Sequence, residues 1–186
     1  MKRILLAGVL AGVVVFVVSA LNHTVLPTGH MGVKSLPNED PVLAAMRAAV
    51  PDKGLYIFPG MDMSHKPTDE EMKAWTEKYV AGPTGILVYS PGGEQPMMAP
   101  QLTSELLTDI LAGCIAAAIV SLTAASFGRR VLLVTLLGAF AWLTVTMSYG
   151  IWYRFPGAYV LGEGIDQIVG WFLGGLAIAW IYRSKP

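Results

Sequence analysis

Residues 105–149 read ELLTDILAGCIAAAIVSLTAASFGRRVLLVTLLGAFAWLTVTMSY. Two apolar runs of helical length flank a short polar knot, Phe127-Gly128-Arg129-Arg130. A helix that crosses a bilayer needs about 20 mainly apolar residues, so this stretch reads as a transmembrane hairpin with the knot as its turn. Short loops rich in Lys and Arg stay on the cytoplasmic side. Arg129 and Arg130 therefore place the turn in the cytoplasm and set the sidedness of the rest of the chain.

The composition agrees with a membrane class. Hydrophobic residues make up 54% of the 186-residue chain and charged residues 14%, with a mean hydropathy of +0.54; ordinary soluble domains are less apolar and more charged. The formal net charge is zero, but the charges are unevenly placed. Lys2, Arg3, Arg129, Arg130, Arg183 and Lys185 flank apolar runs with no acid among them, and all thirteen acids lie in the other segments. That distribution lacks the basic stripe of a nucleic-acid footprint, so nucleic acid is excluded as a partner. Cys114, the single cysteine, falls within an apolar run, where it reads as a packing residue and has no partner for an intrachain disulfide.

Working outward, residues 1–22 form an N-terminal run with two basic residues and a small-residue ending, Val18-Ser19-Ala20. That ending resembles a signal-peptidase site. The apolar length instead favours an uncleaved anchor, since it reaches the minimum of about 17 residues for a span. Gly8 and Gly12 make a GxxxG step that lets another helix approach the backbone. The second span is expected over 101–126, the third over 131–150 with Tyr149, Trp152, Tyr153 and Phe155 as an interfacial belt, and the fourth over 165–182. Gly170 and Gly174 repeat the GxxxG step there. Both termini then lie in the cytoplasm.

Residues 23–104 are polar and hold nearly all the charges, which leaves them as an extracytoplasmic domain. Asn38-Glu39-Asp40-Pro41 reads as a helix start with a capping side chain and early acids. Val42, Leu43, Met46, Ala49 and Val50 share one face until Pro51. Thr68-x-x-Glu71 is a capping box before a stripe of Met72, Trp75 and Tyr79, which predicts a buried Trp75. Residues 55–58 and 85–89 are rich in β-branched and aromatic residues and bounded by Pro or Gly, as strands are. Pro91-Gly92-Gly93 turns the chain back, and Met97 and Met98 are expected at the interface. The fold class is therefore a four-helix transmembrane bundle with a small extracytoplasmic α+β cap between helices 1 and 2. The divisions are an anchor at 1–22, the cap at 23–104 and a three-helix region at 105–186.

Chemistry-bearing residues are sparse. No histidine falls in the middle of a span, so no buried histidine pair is offered there to a haem or chlorophyll, and nucleophile motifs, phosphate loops and zinc spacings are missing. Thioether and imidazole suit copper, and Met61, Met63 and His65, with His23 and His30, are the metal candidates. Glu105, Asp109 and Asp166, joined by Arg154, form a charge cluster expected near the outer face, with Glu163 beside it. A functional reading makes the cluster an ion or proton vestibule. The bland reading pairs Arg154 with Asp109 or Asp166 and sets the acids at helix starts.

These features point to a structural or accessory subunit of a larger bacterial membrane complex, an energy-transducing one among the candidates, with no catalytic site of its own. Membrane lipids and other membrane-protein subunits would be its partners, and the bacterial inner membrane its location. The alternative is a small extracytoplasmic protein that handles or transports copper, and a membrane enzyme with its site under the cap stands third.

Overall fold

The computed structural model describes residues 1–93, 95–96 and 99–183. The expectations on Met97, Met98 and Lys185 lie outside that set. The chain divides into a helical unit, residues 1–33 with 95–186, and a smaller unit, residues 34–94.

Four helices of the first unit are long and apolar enough to cross a membrane. α1 is Lys2–Thr24 and α4 is Ala99–Ser121. α5, Phe127–Ala141, continues through a π-type turn at Trp142–Thr146 into α6, Met147–Tyr153, as one apolar rod. α7 is Gly157–Ile181. α1 packs on both α4 and α7, and α5 packs on α7, while α4 and α5 meet at only a few residues. The side-by-side order is therefore α4, α1, α7, α5, with a seam between α4 and α5.

Small side chains set the closeness of that packing. The core is Ala7, Ala11, Ala116, Ala117, Val120, Val134 and Ile178. Gly8 and Gly12 turn to α4: a Cβ on Gly8 would sit 2.5 Å from Cys114 Cα, and one on Gly12 2.4 Å from Ile110 Cα. Gly113 answers from the other side, where a Cβ would lie 2.3 Å from the Gly8 carbonyl oxygen. The α1–α4 contact is thus backbone against backbone. Gly170 and Gly174 face α1 more loosely, with Val15 methyls 3.8 Å and 3.1 Å from the added Cβ atoms.

Three boundaries differ from the sequence expectation. The hairpin turn is Leu122–Ser126, and the Phe127-Gly128-Arg129-Arg130 knot is the first turn of α5. Ser126 has the extended backbone of an N-cap position, φ −66° and ψ 166°, so helix resumes before the arginines. Arg130 Nη1 donates to the Tyr182 carbonyl at 2.6 Å, and Tyr182 Oη donates to the Ala117 carbonyl at 3.3 Å. Those bonds latch the ends of α4, α5 and α7. α7 also begins at Gly157, well before residue 165, because Pro156 supplies a start and nothing after it breaks the helix.

The smaller unit holds α2 (Glu39–Ala49), β1 (Gly54–Phe58), α3 (Asp69–Ala81) and β2 (Gly85–Tyr89). The strands pair antiparallel with Leu55 opposite Val88 and Ile57 opposite Ile86. Gly85 leaves room for the Phe58 ring, which a Cβ would approach to 2.8 Å. Thr68 and Glu71 close the capping box: Thr68 Oγ1 accepts from the Glu71 amide at 3.2 Å, and the Thr68 amide donates to Glu71 Oε2 at 2.8 Å. Asn38, by contrast, makes no side-chain cap and sits in the left-handed region at φ 51°. Trp75 is half-buried, not buried, with its indole N–H donating to the Pro59 carbonyl at 3.0 Å. No described residue from 34 to 93 is fully buried, because two short helices and two strands cannot enclose a side chain on all sides.

Candidate functional site

The copper candidates fall into two groups. His23, in the last turn of α1, and His30 belong to the helical unit and are exposed, whereas Met61, Met63 and His65 belong to the smaller unit. Met63 is 78% exposed. His65 Nε2 lies 3.2 Å from Glu71 Oε2 and 3.3 Å from Oε1, and its Nδ1 lies 3.9 Å from Asp62. This histidine works as a clasp between the 60–67 loop and α3. Among the described residues, no three His, Cys, Asp or Glu side chains are placed to hold a metal ion.

The acids of the charge cluster come together more closely. Glu105 and Asp109, one turn apart on α4, face Asp166 of α7 across a cavity of about 210 Å³. Ser19 and Val15 of α1, Ala141 of α5, and Gln167, Gly170 and Trp171 of α7 complete the wall. Neither α4 nor α7 has an acid in its first turn, so the reading that set these carboxylates at helix starts is corrected. With α4 starting at Ala99, Asp109 is about 15 Å along its axis. Arg154, which ends α6 in the left-handed region at φ 57°, does not line the cavity.

Ser19 Oγ donates to Asp166 Oδ2 at 3.2 Å. Asp166 Oδ1 and Asp109 Oδ2 are buried atoms without a hydrogen-bond partner, and no lysine or arginine is among the residues on the wall. Like-charged carboxylates that face one space repel one another and favour any cation that enters it. Ser19, Gln167 and Trp171 escaped the sequence reading. Ser19 looked like part of a cleavage site, and only the approach of α1 to α7 shows what its hydroxyl meets.

A second feature lies on the smaller unit. Leu55, Ile57, Ile86 and Val88 alternate onto one face of the two-stranded sheet, since side chains of a strand point alternately to its two sides. Leu55 is 63%, Ile57 57% and Val88 80% exposed. Single apolar residues are common on surfaces; here three exposed aliphatic side chains and the half-buried Ile86 share one face. Comparison with protein-family models, with curated proteins and with solved structures found no match for this chain.

Proposed function

We propose that the chain is a structural or accessory subunit of a larger bacterial membrane protein complex. In this reading the four long apolar helices cross the inner membrane, both termini are cytoplasmic, and residues 23–104 lie on the opposite side. The observation that carries the proposal is the aliphatic face of Leu55, Ile57, Ile86 and Val88 on a unit with no fully buried residue. A two-stranded sheet is marginal alone, and covering that face with another protein would give the unit the apolar burial it lacks. The one-sided run of Arg129, Arg130 and Arg183 along the helix ends supports the orientation.

The test is extraction from native membranes in a mild detergent, followed by mass spectrometry of stoichiometric companions. The proposal expects one or more membrane proteins at fixed ratio to the chain, lost when Leu55 and Val88 are both replaced by glutamate. A chain that elutes alone at every detergent strength tried would overturn it.

A further inference from the structure

The seam between α4 and α5 is a groove of about 180 Å³ lined by Ala112, Ile115, Ala116 and Ile119 of α4, Leu137 and Ala141 of α5, and Trp171 of α7. Every one of these is apolar apart from the indole N–H. Ala141 and Trp171 also line the carboxylate cavity, so the two spaces share a wall. Asp109 lies one helical turn from Ala112, which places its carboxylate at the head of the groove. The molecule thus offers an apolar slot between two helices that leads to three carboxylates.

We propose that this groove and cavity together bind one amphipathic organic cation, with its apolar body between α4 and α5 and its ammonium group among Glu105, Asp109 and Asp166. Charge complementarity selects that occupant. A neutral lipid tail would fill the slot and leave the buried Asp109 and Asp166 oxygens without a partner, and an anion would be repelled by them. A bare metal ion is disfavoured by geometry, since among the described residues no three ligating side chains gather closely enough to hold one. An ammonium carried on an apolar chain meets both halves of the site, and the Trp171 indole at the junction is a favourable neighbour for it. The inference concerns the helical unit alone; it needs those helices to lie in a bilayer but does not depend on the partner reading.

The experiment uses the full chain in nanodiscs of zwitterionic phosphatidylcholine and measures binding of labelled decylammonium, whose N–H groups can donate to the carboxylate oxygens, by equilibrium dialysis at neutral pH, with empty nanodiscs as the blank. The expected result is saturable binding of one molecule per chain that decyl sulfate does not displace. Asp166→Asn should weaken it by roughly tenfold, the loss expected for one charge-assisted contact in a poorly solvated site. Ala141→Phe, which fills the junction, should abolish it. Uptake equal to that of the empty discs, or displacement by decyl sulfate as effective as by the cation, would overturn the proposal. If Asp166→Asn fails to fold, as judged by its thermal melt, Ala141→Phe decides alone, and saturable binding retained in that variant overturns the proposal.

Discussion

Gly12 has no space for a side chain, because the Cβ of any other residue would fall 2.4 Å from the Ile110 backbone. Gly12→Ile is therefore expected to part α1 from α4 and to cost about 3 kcal/mol, the upper end for overpacking, without altering membrane insertion. Gly170 is a control on the same scale, since its added Cβ would meet only a Val15 methyl at 3.8 Å, and Gly170→Ala should change stability by no more than about 0.5 kcal/mol. Thermal unfolding in detergent checks both, and equal melting points for the two variants would contradict the assignment of the tight face. Both GxxxG steps were visible in the sequence. Which of them makes the tight contact was not, because that depends on the presence of Gly113 on the facing helix. The Met72, Trp75, Tyr79 stripe has the same history: its spacing was legible, but its depth depends on how much chain is available to cover it. Trp75→Phe, which keeps the ring contact with Tyr79 and loses the bond to Pro59, should cost about 1 kcal/mol, measurable as a shift in the denaturation midpoint of the smaller unit.

At the scale of the element, α3 is held at its start by acids whose proton affinity the fold has lowered. The Thr68 backbone N–H, followed by His65, holds the Glu71 carboxyl below its ordinary value. The Ser64 backbone N–H does the same for Asp62. A carboxyl with a depressed folded pKa contributes stability above its unfolded value and loses it as pH falls through the folded one. The first turn of α3 is thus expected to hold at neutral pH and to loosen below about pH 4. A fall in the amide protection factors of Glu71 and Met72, taken against the intrinsic exchange rate at each pH, would report this on acidification, and Glu71→Gln should remove most of the pH dependence. Protection factors unchanged down to about pH 3 would contradict the clasp. The capping box could be read from four residues of sequence because its bonds are local. Asn38 shows the limit of such reading, since it occupies the capping position but adopts a left-handed backbone and makes no cap. The π-type turn in the third rod had no sequence signal. It falls where the Trp142 indole N–H reaches the Val160 carbonyl at 2.8 Å and the ring lies against Gly164, a contact set by a different helix.

For the whole molecule, the four long apolar helices, the two short helices and the strand pair were all legible, because each carries its own periodicity and punctuation. The carboxylate cavity was legible only in part: Glu105, Asp109 and Asp166 could be named, but their meeting with Ser19 and Trp171 comes from helix order, which one sequence does not reveal. The proposed topology has a direct consequence. A single cysteine placed at Gly60 in a Cys114→Ala background should react with a membrane-impermeant thiol reagent from the outside of intact cells. Labelling only after the cells are opened would place the smaller unit on the wrong side. Whether another protein completes the smaller unit through its aliphatic sheet face can be read from native gel electrophoresis of the mild-detergent extract. Wild type is compared there with a Leu55→Glu, Val88→Glu double variant. The wild-type chain is expected to migrate in a larger assembly, and the variant, with its helical unit intact by circular dichroism, to drop to the mobility of the free chain; identical migration of the two would mean that no partner sits on that face.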